Sequence, residues 1–516
     1  MSLFTLAAYG FATTAVYYIF PRRFRWIVLL LASYGFYASR AFSSLPFILT
    51  TTLSTWLGAL LMGRIAETSK AQLKAGKATL TKEEKSRIKQ QAKSRQRVLL
   101  YLVLVLNFAL LAVMKYTDDV RGWAGASPLG LLLPLGISFY TFQSMGYLID
   151  VYNGKYTPET NPAKFALFVS FFPQLIQGPI ARHDQLAAQL LEPHRFDWAN
   201  IHRGALLMLW GFFKKKVIAD RALPLVDAVF ANQGEYGGAI IVIAVLFYSL
   251  QQYCDFSGGI DLVTGIAELF GVRLAPNFKQ PYFSVSLGDF WRRWHISLGG
   301  WMRDYVFYPF ALTKPVSRLS KAAKKTLGAD VARALPAALG NILVFLLVGV
   351  WHGASMNYVL WGLYNGLILA MSALLEPVYK RTNERLGSFV QTRTFYVYRV
   401  LRTFVIVNIG WYFDRCLRAG DAFRMLYKTA FEPMAAQLTD GTLLSLGLAP
   451  ADFTLLAVST ALLFSVSVLQ ERGVSIRSRV LSLPAVPRVL LLYAFMYFVL
   501  AAFAGTTSAG FMYAIF

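Results

Sequence analysis

ALGNILVFLLVGVWHG, residues 338–353, is an uncharged apolar run that ends on a titratable ring, His352. With residues 336 and 337 the run is long enough to cross a hydrocarbon core ~30 Å thick. A second histidine, His295, lies 57 positions earlier in DFWRRWHISL, residues 289–298, and like His352 it follows a Trp. An ionisable side chain at membrane depth is costly, and its presence there points to a functional site. Imidazole is also the side chain best suited to exchanging protons near neutral pH. On these grounds the two rings are equal candidates for the chemistry.

The rest of the chain has the same character. Of its 516 residues 56% are hydrophobic and only 15% charged, against about 25% charged in soluble proteins; the mean hydropathy is +0.47. Repeated apolar runs of ~20 residues identify an all-α polytopic membrane protein. Residues 1–516 are read as a single membrane-embedded domain. The net charge of +24 follows from basic cytoplasmic loops rather than from nucleic-acid binding. No nucleic-acid motif occurs, and membrane lipid is the expected contact. Cys254 and Cys416 are too few for a disulfide framework or a zinc site. The N-terminal stretch lacks a basic n-region and a cleavage site, and reads as a first span.

Spans are expected near 3–20, 26–40, 46–63, 98–114, 128–149, 336–352, 356–375, 396–413, 452–470 and 486–505, about eleven in all with the interrupted segment described next. The basic turn Pro21–Arg25 and the stretch 64–97, with eleven Lys/Arg against three Glu, both place their ends in the cytoplasm. Residues 314–335 form another basic cytoplasmic loop. FALFVSFFPQLIQGPI, residues 165–180, is apolar but broken by Pro173, Gly178 and Pro179, and is expected to be re-entrant or buried, because freed backbone groups need protein or water partners. Tyr253–Phe310, rich in charges, aromatics and Gly, is expected as short buried helices. No internal repeat is found, which counts against a transporter.

Several side chains stand near the two histidines in sequence. If residues 289–301 are helical, Arg292 and His295 share a face, and Asp289 can pair with Arg293. Trp and Arg here can equally anchor an interfacial helix. Asp255, Ser257 and Asp261 form a polar patch, with Asp261 a partner for an Arg. Asn341, Asn357 and Asn365 bracket His352, and Asn365 can join helix to helix. Gly353 permits a helix end. His183, His194 and His202 read as ordinary surface residues. No metal-protease, dithiol, phosphate-loop or serine-hydrolase motif is present, and no metal or bound cofactor is expected.

YCDFSGGID (253–261), PNF (276–278), DFWRRWHISL (289–298), RDY (303–305), WHGAS (351–355) and LWGLYNG (360–366) occur in this order. Together they resemble the membrane-bound O-acyltransferases, most nearly the alginate O-acetyltransferase branch, which FFPQLIQGPI (171–180) also matches. The D-alanyl transferase branch that decorates teichoic acid is similar through the Trp-His and Arg-Asp-Tyr regions. After Arg303-Asp304-Tyr305 the chain departs from the alginate branch, which continues there with a Gly-Gly-Asn-Arg turn.

The resemblance implies a ring of tilted helices around a central funnel, in the inner membrane of a bacterium. It implies transfer of an acyl group from a cytoplasmic thioester, acetyl-CoA or another, to a cell-envelope polysaccharide or to an extracytoplasmic acetyltransferase partner. His352 maps onto the family's essential histidine and His295 onto its second. His352 is then the general base, and His295 orients a substrate or stabilises the oxyanion. Arg292, Arg293, Arg303, Asp304, Asp261, Trp294, Trp351 and Asn365 are candidates for binding donor or acceptor. D-alanyl transfer is the alternative within the class, and a polysaccharide or lipid transporter the alternative outside it.

Overall fold

The computed structural model describes residues 3–503 and Gly510, and within them the chain is helical apart from connections and one isolated antiparallel bridge, Phe278 with Trp294. The helices, in order, begin with α1 (Leu3–Ile19), α2 (Arg25–Ala41), α3 (Leu45–Ala75) and α4 (Lys82–Trp123). Short elements follow: α5 (Ile137–Tyr152), α6 (Pro162–Ser170), α7 (Phe172–Gln177), α8 (His183–Leu191), α9 (Trp198–Phe212) and α10 (Asp220–Ala231). The long α11 (Gly238–Leu269) leads to α12 (Leu287–Arg293), α13 (Ile296–Met302), α14 (Tyr308–Ala311) and α15 (Lys314–Thr326). The chain continues with α16 (Ala329–His352), α17 (Met356–Leu374), α18 (Glu376–Leu386), α19 (Arg393–Arg415), α20 (Ala419–Phe431), α21 (Pro450–Glu471), α22 (Ile476–Leu481) and α23 (Ala485–Phe503).

Six of these, α3, α4, α11, α16, α21 and α23, are long and apolar enough to cross a membrane, and a seventh span results if α17 and the helical segment after it, bent by 61°, are taken as one. The molecule is therefore a multi-pass, all-helical membrane protein. In α11 61% of the most apolar window is buried in protein, against 11% in α23, so α11 is a central post and α23 a lipid-facing wall. The reason is composition. Gly258 and Gly265 on α11 meet Gly211 and Gly204 on α9 back to back. A methyl on Gly204 would stand 2.5 Å from the Gly265 carbonyl oxygen, and one on Gly211 2.6 Å from that of Gly258. Small residues let membrane helices approach to backbone contact.

Three expectations change. Tyr253–Phe310 does not begin as short helices: its first 17 residues are the second half of α11, which starts as an apolar span at Gly238. That span was missed because its apolar half runs without a break into the polar YCDFSGGID. The basic stretch 64–97 is the end of α3 and the start of α4, joined by residues 76–81, with Thr81 and Glu84 forming a capping box. The span expected over 128–149 is helical only from Ile137. Residues 165–180 form α6, α7 and their connections, almost wholly buried in protein, which meets the backbone requirement that their Pro and Gly residues create.

Candidate active site

His352 is the last residue of α16. The helix is held there by α17, which returns antiparallel beside it. Glycines on both sides bring the two backbones together: a methyl on Gly349 or Gly362 would lie 2.4 Å from the Tyr358 or Phe345 carbonyl oxygen. The final carbonyls of a helix have no partner within it. Here α4 supplies them, with the Lys115 amine donating to the Trp351 carbonyl and the Tyr116 hydroxyl to that of Val350 at 2.8 Å. A cation at this end also suits the helix dipole. Gly353 is extended, and its lack of a side chain makes room for the Tyr358 ring. The His352 imidazole is buried against Trp351, Tyr358 and Trp361, with ring centres 4.9, 5.9 and 5.1 Å away.

His295 sits at the break between α12 and α13, where the helix considered over 289–301 is interrupted. Its backbone is left-handed, φ +47° and ψ +51°, a conformation uncommon outside glycine but tolerated by His, Asn and Asp. Strained residues of this kind cluster at functional sites. The ring is buried in the protein, against Phe256 at 4.8 Å and Trp351 at 6.2 Å. Its Nδ1 lies 3.3 Å from Asn277 Oδ1. His295 is outside the apolar spans, and burial lowers its pKa to about 3, which leaves a neutral ring.

Both histidines line one cavity of about 450 Å3, together with Trp294, Trp361, Gln252 and Asp414. Trp351 touches both rings. The other sequence candidates divide. Arg292 and Arg303 line the same cavity with side chains 73% and 60% exposed, at its mouth. Arg293 is held by Glu471 at 2.8 Å and by Asp289 at 3.3 Å, the i, i+4 pair that the sequence allows. Asp304 pairs with Arg182 at 2.7 Å. Asn365 accepts from the Trp291 indole at 3.2 Å and so joins α17 to α12. Asp261 is bound to Lys214 at 2.8 Å, a Lys where an Arg was expected, and faces a separate cavity of about 410 Å3. Among the described residues no group of three or more His, Cys, Asp or Glu is placed to hold a metal ion.

Sequence reasoning missed several polar groups. Asp414, buried on α19, accepts from Tyr248 at 2.6 Å and Gln252 at 2.9 Å. Lys214, Lys215 and Lys216 are all buried in a π-helical turn, with Lys215 on Asp220 and Asp255 and Lys216 on Asp220 at 2.6 Å. The signal was there to read, three lysines inside the apolar run LWGFFKKKVIAD. His183 is not an ordinary surface residue: it is partly buried among Tyr147, Tyr156 and Phe168.

Comparison with known proteins bears on the same residues. The sequence model of the membrane-bound O-acyltransferase family matches residues 159–407, which include the cavity from Gln252 to His352 and Trp361. The chain is similar to the probable alginate O-acetylase of Pseudomonas syringae pv. tomato, 34% identical over 80% of this chain and 71% of that protein. It is 31% identical to the peptidoglycan O-acetyltransferase of Helicobacter pylori over 65% of each chain. With the teichoic acid D-alanyltransferase of Bacillus subtilis it shares 26% identity over 55% of this chain and 69% of that one. The identity to the alginate protein extends over most of both chains, and the family match lies on the two-histidine cavity: this chain belongs to the membrane-bound O-acyltransferase family.

Proposed function

We propose that the protein transfers an acetyl group from a cytoplasmic thioester, acetyl-CoA or another, for O-acetylation of a cell-envelope or secreted polysaccharide. The observation that carries this is the shared cavity: two buried histidines in one aromatic-walled space inside a helical membrane protein. A hydroxyl is a poor nucleophile at neutral pH. His352 takes its proton as the oxygen attacks the thioester carbonyl. The new C–O bond forms, the C–S bond breaks, and the thiol leaves with a proton. General base catalysis of this kind contributes about 10²–10⁴-fold, and the thioester is already activated. Arg292 and Arg303 at the mouth suit the phosphates of a donor.

About eleven spans arranged around a funnel open to both faces would let donor and acceptor reach the cavity from opposite sides. The basic segments 64–97 and 314–335 then face the cytoplasm, in the inner membrane of a bacterium. The acceptor is the polymer itself or an extracytoplasmic acetyltransferase that relays the group. The likeness to the teichoic acid D-alanyltransferase supports a second reading, D-alanyl transfer from a carrier-protein thioester. The longer and closer match to the alginate protein favours acetyl.

Purified protein offered both donors decides between the two, acetyl-CoA consumption being the expected result. His352→Ala is expected to abolish polymer acylation, at least 10²-fold down, with membrane insertion unchanged. Normal acylation by that variant would overturn the assignment, and substrate movement without donor consumption would favour a transporter.

A further inference from the structure

We propose that Asn277 is a positioning residue that holds His295 as the tautomer protonated on Nδ1, so that the lone pair lies on Nε2. Asn277 is buried, and the orientation of its amide is decided by its neighbours. The Ser297 backbone N–H donates to Oδ1 at 3.0 Å. A backbone N–H can only donate, so the atom it meets is the amide oxygen and not the nitrogen. The Ser297 hydroxyl agrees. It accepts the Ile180 N–H at 3.0 Å, which directs its own hydrogen to Asn277 Oδ1 at 2.8 Å. His295 Nδ1 meets that same oxygen at 3.3 Å. A bare ring nitrogen facing an amide oxygen is repelled by it, whereas an N–H is attracted. Nδ1 therefore carries the hydrogen, and in the neutral ring Nε2 does not.

The backbone keeps the arrangement in register. Ile296 N–H donates to the Asn277 carbonyl at 3.0 Å, and Lys279 N–H to that of Arg293 at 2.9 Å. PNF and WRRWHIS are thus clamped together, and the left-handed turn at His295 sets the ring against Asn277.

This deepens the acyltransferase reading and rests on it for its consequence. An Nε2 lone pair accepts a hydrogen bond and cannot give one to an oxyanion. Of the roles open to His295, orienting a substrate by accepting a hydrogen bond from a donor other than the attacking hydroxyl, whose one hydrogen goes to His352, remains, and stabilising the oxyanion does not. The charged and titratable groups that share its cavity are His352 on α16, Arg292 on α12, Arg303 after α13 and Asp414 on α19, and Lys115 on α4 acts on His352.

The test is ¹⁵N NMR of histidine-labelled protein in lipid bilayers. The His295 signals, among five imidazoles, are assigned by their loss in His295→Asn. The expected result is a protonated Nδ1 and a bare Nε2. In Asn277→Ala that preference is lost, and kcat falls tenfold or more with KM little changed. Asn277→Asp keeps the acceptor oxygen, so it retains the Nδ1–H form and recovers folding if the Ala variant fails. Its carboxylate also stabilises the imidazolium, so the acid limb of the kcat profile moves to higher pH, by about one unit or more. A merely structural Asn277 would leave that limb in place. Nε2–H in the wild type, or an unchanged tautomer in Asn277→Ala, overturns the inference. If the tautomer is as expected but the purified protein consumes neither acetyl-CoA nor a D-alanyl carrier thioester, the inference stands and the acyltransferase reading falls.

Discussion

His295 combines an imidazole with a backbone that only a few residue types accept, and the two demands can be separated by substitution. Asn tolerates the left-handed region while Ala is disfavoured there by roughly 1 kcal/mol. His295→Asn and His295→Ala are expected to lose activity to the same extent, 10²-fold or more. In detergent the Asn variant should melt at the higher temperature. Equal melting would mean that the turn stores no strain, and an active Asn variant would remove the ring from the reaction. The sequence marked this residue by its apolar surroundings. It gave no role to Asn277, which stood only within the uncharged PNF motif 18 residues away, or to Asp414, which lies one residue beyond the expected span 396–413.

α16 and α17 place His352 by backbone contact rather than by side-chain bulk. Gly362 faces the Phe345 carbonyl and Gly366 the Ile342 Cα, so any side chain at Gly362 forces the helices apart. Overpacking of this kind costs about 1–3 kcal/mol. Gly362→Val is expected to shift His352 away from Trp361 and to lower acyl transfer tenfold or more, with both histidines intact. Gly362→Ala should have a smaller effect in the same direction. Wild-type rate and melting in the Val variant would contradict the close approach. The LWGLYNG motif indicated that α17 matters; its glycines facing α16 became legible only when the two helices were seen side by side.

Across the whole molecule, the basic segments predict an orientation in the membrane, and buried charge holds the interior. The Lys214–Lys216 turn, with Asp220, Asp255 and Asp261, ties α9, α10 and α11 together, and removing one partner of such a network typically costs about 3–5 kcal/mol. Cys254 and Cys416 are both buried, so one cysteine added in the exposed α3–α4 connection becomes the accessible thiol. Ala78→Cys is expected to react with a membrane-impermeant maleimide in inside-out vesicles and not in intact cells. The reverse pattern would invert the topology and put the arginine-lined mouth of the cavity in question.

Hydropathy was enough to identify an all-helical membrane protein and to make His295 and His352 candidates, while their connection with acyl transfer was an expectation drawn from the family resemblance of the ordered motifs. These depend on composition and local pattern, which a linear chain displays directly. Folding was needed to bring the rings onto one cavity, to draw Arg293, Asp304 and Asp261 into ion pairs with Glu471, Arg182 and Lys214, and to bury three consecutive lysines. Apart from Asp220, which follows the lysines closely, the partners lie 40 to 178 residues away, and the charge of a side chain does not reveal whether its neutralising partner will arrive beside it.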